Sequence, residues 1–368
     1  MDSIGDGVVR LRPDLRDSAD WFYYAFRVKN AQGQTLRFVF DAANRVGARG
    51  PAVSADGEKT WRYLSDSPGF SSKEFSYTFG PNEDSVLFSL AILYTQKNWD
   101  AWRAKYAENP DFRCSALCKS RKGRDVELLR FGNPEGKYGI ALTCRHHCCE
   151  MTASYVLEGF LDEALSDSQA GCWLRENASF FVVPFIDKDG VEDGDQGKGR
   201  RPHDHNRDYN HEIYPEIRSL KAQLPAAFEG KSLVFFDLHC PWIRSGMNEY
   251  LYSPMSSNSR MTDASNVYFR MLEEEQKSGE IPYAAANNLP YGVSWNTDAN
   301  YKAMENGILT AGSKMWAGAL PNTIFSATLE MPYSNSSDVE VTRENSRELG
   351  RNMARTMARY LKSRNEKL

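Results

Sequence analysis

The sequence predicts an antiparallel β-sandwich over about residues 1–105, followed by an α/β domain over residues 106–368. Three observations carry this. Short aromatic or β-branched runs, broken by turn signals, fill the first hundred residues. Continuous apolar runs then alternate with helical patterns. All six histidines fall between residues 146 and 239, beginning where a strand opens into a helix.

In the first part, "WFYYAFRVKN", "TLRFVFDAA", "TWRYLSD", "EFSYTFG" and "SVLFSLAILY" read as strands. "AQGQ", "VGARGP", "SADGEK" and "FGPNED" separate them as turns. Leu36, Phe38 and Phe40 alternate with other residues, as do Phe75, Tyr77 and Phe79, which is the spacing of a half-buried strand in a sandwich. These aromatics read as core, and no catalytic constellation is found among them.

From Trp99 the texture changes. "NWDAWRAKYAEN" reads as a helix and "YGIALTC" as a buried strand. "MTASYVLEGFLDEAL" is a helix with Tyr155, Leu157, Phe160, Leu161 and Leu165 as its apolar stripe. "SFFVVPFID", "KSLVFFDLHC" and "NTIFSATLEMPY" are strands, and "ASNVYFRMLEEEQKSG" is a helix. The polar stretch "DKDGVEDGDQGKGRRPHDHNRDYN" reads as a long functional loop. A closing amphipathic helix carries Leu349, Met353 and Met357 at i+4 spacing.

Composition narrows the function. A formal net charge of -4 gives no general support to a nucleic-acid partner. No run approaches the roughly 20 apolar residues of a membrane helix, and the N-terminus carries no apolar run like that of a secretion signal. Seven cysteines are an odd number and do not form a disulfide framework at this length. Reduced thiols in a cytoplasmic protein are the expectation, or a leader trimmed away.

The chemistry concentrates in "CRHHCCE", from Cys144. His147 and Glu150 are three apart, so a helical turn places both on one side. His239 ends another apolar strand, in "FFDLHC". Two histidines and a carboxylate with one open position make the donor set of a catalytic zinc. Each histidine alone reads as an ordinary half-buried imidazole; it is the joint pattern that argues for a metal. His146 is the rival to His147, but neighbouring side chains leave on opposite faces. Cys148 and Cys149 point elsewhere and read as small buried residues.

The series "HCCE", "DHNRDY", "LHC" and "LEMPY" resembles the M14 zinc metallocarboxypeptidases, and the N-terminal strands resemble the β-sandwich of the cytosolic carboxypeptidase branch. The resemblance implies a mixed sheet of about eight strands, with zinc held by His147, Glu150 and His239. It implies Glu330 as the catalytic carboxylate and Asn206 with Arg207 as the anchor for a substrate's terminal carboxylate. Asp204 would orient His147. An arginine upstream of the Asn-Arg pair would stabilise the oxyanion; of Arg200 and Arg201, Arg201 is chosen. "GSKMW" puts Lys314 at the variable place of the specificity pocket, where a cation favours an acidic C-terminal residue; the alternative is a lysine facing solvent. The digestive relatives carry a loop tyrosine that would fall near residues 307–309. None stands there, and Tyr301 is the nearest upstream. His203, His205 and His211 read as structural.

The expected function is zinc-dependent removal of C-terminal amino acids from peptides or protein tails. The alternative is a zinc amidase or deacylase acting on a small acyl amino acid. A non-catalytic binding protein would require loss of a donor or of Glu330, and all are present.

Overall fold

The alternating aromatics of the first ninety residues form two packed sheets. The computed structural model describes residues 1, 3–65, 70–277, 279–301 and 311–365. Its first eight strands are β1 (Ser3–Gly5), β2 (Val8–Leu11), β3 (Ala25–Lys29), β4 (Thr35–Phe40), β5 (Ala52–Ser54), β6 (Arg62–Tyr63), β7 (Glu74–Thr78) and β8 (Ser85–Ser89). One sheet has the order β1-β2-β4-β7 and the other β3-β8-β5-β6. Between them Phe38 and Phe75 meet Phe88, with ring centroids 5.1 and 5.6 Å apart. All three rings are fully buried, so the aromatics are core, as their spacing predicts. One pair departs from the antiparallel expectation: β2 runs parallel to β4. The intervening β3 belongs to the opposite sheet and acts as the crossover that a parallel pair requires.

After α1 (Gln96–Arg103) the second part begins with the strands β9 (Arg113–Lys119) and β10 (Asp125–Gly132). β11 (Tyr138–Cys144) feeds α2 (Met151–Leu165) and α3 (Gln169–Asn177). β12 (Ala178–Val183) precedes α4 (Lys188–Asp193) and α5 (Pro215–Ala227). β13 (Ser232–His239) precedes α6 (Ser259–Gln276), α7 (Asp298–Tyr301) and α8 (Ser313–Ala319). β14 (Thr323–Glu330) leads through the small pair β15 (Asn335–Ser336) and β16 (Val339–Glu340) to α9 (Arg343–Asn365). The main sheet has the order β14-β13-β11-β12-β10-β9. Its first four strands are parallel, and β10 and β9 join antiparallel. The sheet is therefore mixed, with six strands among the described residues rather than eight.

Helices cover both faces of the sheet, which is why β11, β13 and β14 are almost wholly buried. On one face Val156 and Phe160 of α2, Tyr268 of α6 and Met353 of α9 join Ile140 and Phe236. On the other, Ile217 and Leu220 of α5 and Ala317 of α8 join Phe181 and Phe235. The helix α2 is buried along nearly its whole length, not on a stripe alone, because α9 lies across its outer side. At that crossing the backbones touch. A Cβ on Gly159 would stand 1.9 Å from the Arg347 carbonyl oxygen, and one on Gly350 2.0 Å from that of Val156.

The parallel strands end at one edge, in register: Thr143 opposite Asp237, and His239 opposite Glu330. Sites in sheets of this kind form at such carboxyl ends. The N-terminal sheets join the same region through Tyr63, whose hydroxyl donates to the Tyr333 carbonyl (2.9 Å), and through Arg49, which donates to Asn335 Oδ1 (2.9 Å).

Candidate metal centre and cleft

His147 follows β11, and Glu150 is the residue before α2. Glu150 is fully buried and lies between two imidazoles: its Oε1 is 2.8 Å from His147 Nδ1, and its Oε2 is 2.8 Å from His239 Nδ1. One donor atom from each of the three lies within 4.8 Å of the others. Carboxylates stand behind both rings. Asp237 Oδ2 is 2.7 Å from His239 Nε2, and Asp204 Oδ1 is 3.5 Å from His147 Nε2. Such backing fixes the tautomer that leaves Nδ1 free to coordinate.

The electrostatics suit a cation. Burial opposes charge on both rings, yet Asp237 and Glu150 lift His239 well above its ordinary value, and Glu150 with Asp204 raises His147. Burial also opposes the Glu150 carboxylate, but Lys198, His147 and His239 hold it well below the usual range. A cluster that draws protons onto imidazoles carries surplus negative charge, which a divalent ion would take up while leaving the rings neutral. The donor set therefore fits zinc.

A second grouping, His146 with Asp237 and His239, shares one histidine with the first. There His146 is sealed in. Its Nδ1 lies 3.0 Å from Asp237 and its Nε2 2.8 Å from the Tyr209 hydroxyl, and the ring has no exposed surface. Cys148 and Cys149 are buried, and all seven cysteines are free thiols.

Above the donors opens a cleft of about 380 Å³. Glu330 lines it from the end of β14, where burial raises its carboxyl above the ordinary value. Asn206 and Arg207 line it from the short turn His205–Arg207. Asn206 Oδ1 accepts from the Ser313 amide (2.9 Å), tying that turn to the start of α8. Lys314, on α8, is 6 % exposed; its Nζ donates to the Pro254 carbonyl (2.5 Å), and burial pushes its pKa down to about 7. The solvent-facing alternative for Lys314 is therefore excluded.

Comparison with known proteins follows this geometry. The zinc carboxypeptidase family model matches residues 99–232, which include His147, Glu150, Asn206 and Arg207 and stop before His239 and Glu330. Cytosolic carboxypeptidase 2 of Mus musculus is 27% identical over 274 residues, spanning 70% of this chain and 30% of that protein. Cytosolic carboxypeptidase 6 of Caenorhabditis elegans is 24% identical over 260 residues, spanning 62% of this chain and 56% of that one. A metallo-carboxypeptidase structure from Pseudomonas aeruginosa superposes with TM-score 0.76 at 19% identity, covering 98% of this chain and 96% of the other. Residues 99–232 thus carry the zinc carboxypeptidase pattern, and the chain is similar to the cytosolic carboxypeptidases. It spans just under a third and just over half of the length of these two curated relatives.

Two expectations drawn from the family need revision. Arg201 is exposed and does not line the cleft. Its amide donates to the Asp17 carbonyl (2.9 Å) and Arg200 bridges to Ser18, so this segment runs along the N-terminal part with the Arg201 side chain outward. Arg200 instead pairs with Asp187 (2.9 Å) and Asp195 (3.3 Å). The cation that reaches the centre is Lys198, which sequence reasoning missed. Its Nζ lies 2.8 Å from Glu150 Oε1 and donates to the carbonyls of Cys240 (2.7 Å) and Pro241 (2.8 Å). The signal was present in "GKG". Gly197 has φ +80°, and a Cβ there would meet the Cys148 amide nitrogen at 2.7 Å, so only glycine lets the chain dip toward the donors.

The second concerns the missing tyrosine. Residues 307–309 lie outside the described residues, but Tyr301 lines the cleft with its ring under both Arg207 (5.3 Å) and Lys314 (5.9 Å). The long polar loop contains a helix, α4, and its histidines face partners: His203 Nε2 is 2.7 Å from Asp208 Oδ1, and His205 stacks on Tyr214 at 3.7 Å.

Proposed function

We propose that the chain is a zinc-dependent carboxypeptidase that removes C-terminal amino acids from peptides or protein tails. The observation that carries this reading is the placement of Glu330 and Arg207 in one cleft with the three donors. Zinc held by His147, Glu150 and His239 would supply a Lewis acid and bring the pKa of water from ~15.7 to about 7. Glu330 would take the proton of the attacking water and pass it to the leaving amine. Its raised pKa suits it to hold that proton in transit. Lys198 would offer positive charge to the oxyanion that develops on the carbonyl.

Arg207 presents a planar fork to the substrate's terminal carboxylate, with Asn206 beside it. Lys314 favours an acidic terminal side chain, which would restore the charge that burial suppresses. Free cysteines and the names of the relatives support a cytosolic setting. We place the domain boundary near residue 105, between the end of β8 and the start of β9.

The test compares a peptide with its C-terminal amide. Wild-type protein should cleave the free acid with one metal per chain and leave the amide intact, and Arg207→Ala should raise KM for the acid. Equal turnover of acid and amide would favour a zinc amidase instead.

A further inference from the structure

We propose that the segment Asp20–Tyr23, just before β3, positions Lys198 through the side chain of Gln196, which makes the N-terminal part of the chain a working part of the active site. The inference rests on the role given to Lys198 above.

Gln196 is 1 % exposed and sits between the two halves of the molecule. Its Oε1 accepts from the amides of Phe22 (2.6 Å) and Tyr23 (3.2 Å). Its Nε2 donates to the carbonyls of Asp20 (3.0 Å) and Lys198 (3.3 Å). An amide side chain has two acceptor sites and two donors, and here all four are used. Three of those bonds go to the N-terminal segment and one to the backbone of the lysine. Ser18 adds a hydroxyl to the same Lys198 carbonyl (3.4 Å). The Phe22 ring completes the enclosure, with Lys198 Nζ 6.0 Å from its centroid and the Trp242 ring edge-on at 4.6 Å.

Lys198 is thus held at both ends. Its ammonium is fixed by Glu150 and two carbonyls of the catalytic part, and its backbone by residues 18–23 through Gln196. A lysine stem has four rotatable carbons, so the ammonium alone does not fix its position. With the backbone released, the stem would let the ammonium swing off the position it holds beside Glu150 and the two carbonyls, and out of line with the carbonyl under attack. A misplacement of about 1 Å at such a group can lower the rate ~100-fold. Gln196 is accordingly a positioning residue.

A double-mutant cycle on the full chain tests this. Gln196→Met should lower kcat about 10- to 100-fold, with metal content unchanged and amide exchange at residues 197–199 accelerated. In a Lys198→Met background the same substitution should change kcat less than about two-fold, because coupled sites are non-additive. Equal losses in both backgrounds, or no loss in the wild-type background, would overturn the proposal. Should Gln196→Met fail to fold, Gln196→Asn, whose shorter arm cannot span both the N-terminal segment and the Lys198 carbonyl, is measured in the same two backgrounds; additivity there overturns it and non-additivity supports it. If wild-type protein cleaves no peptide, the functional reading fails, and the exchange rates still decide whether Gln196 holds the lysine.

Discussion

His239 and Glu330 are register partners on adjacent parallel strands, one in the candidate donor set and the other a carboxylate lining the cleft. Their separation is set by sheet geometry rather than by loops, so each can be altered without moving the other. Glu330→Gln should keep one metal per chain while activity falls about 10²- to 10⁴-fold, the usual worth of a general base. His239→Ala should lose the metal, and Asp237→Asn should weaken metal affinity about 10- to 100-fold by releasing the ring it orients. Elemental analysis beside turnover separates these effects. Unchanged turnover in Glu330→Gln would remove that residue from the reaction.

Lys198 and Arg201 are three residues apart and make opposite predictions. Lys198→Met should lower kcat about 10²- to 10³-fold, as loss of an oxyanion partner does. Arg201→Ala, at an exposed position, should stay within about two-fold of wild type. The reverse result would restore the arginine.

A pH-dependent selectivity is the expected mark of the role proposed for Lys314. Its pKa in the folded protein is lowered to about 7 by burial, so the ammonium is present below that value and lost above it. KM for peptides ending in Glu should therefore rise as pH goes from 6 to 8, while KM for peptides ending in Leu stays flat. Lys314→Met should abolish the difference. Parallel pH profiles for both peptides would show that Lys314 does not read the side chain.

The contact between α2 and α9 is a stability prediction. Gly159→Ala or Gly350→Ala places a methyl carbon at 1.9–2.0 Å from a carbonyl oxygen, so the helices must separate. Urea denaturation should show a loss of at least about 1–3 kcal/mol for either. Gly5→Ala, with nothing within 4 Å of the new carbon, should be close to neutral.

Elements buried on both sides were legible in the sequence, because unbroken apolar runs such as "YGIALTC" and "KSLVFFDLHC" have no other stable use. The edge strand β9 and its neighbour β10 are not legible in the sequence, since their residues mix charge with apolar groups instead of forming an unbroken apolar run. The helix α8 was also missed: seven residues are too few for helical periodicity to emerge. At the site, the residues at strand ends could be placed from sequence, because register fixes them. Arg201 and Lys198 lie on a loop whose path depends on contacts with residues 17–23, and a one-dimensional pattern does not encode that path.

The order in which the cleft is built has a consequence for biosynthesis. Its lining comes from residues as far apart as His147 and Glu330, and α9 must still dock Gly350 on α2 after Glu330 has been made. A ribosome-bound fragment that stops before β14 already contains the three candidate donors but lacks Glu330, the proposed proton-handling group. On the proposed function, the nascent chain would stay inert toward neighbouring polypeptides until synthesis has passed that strand.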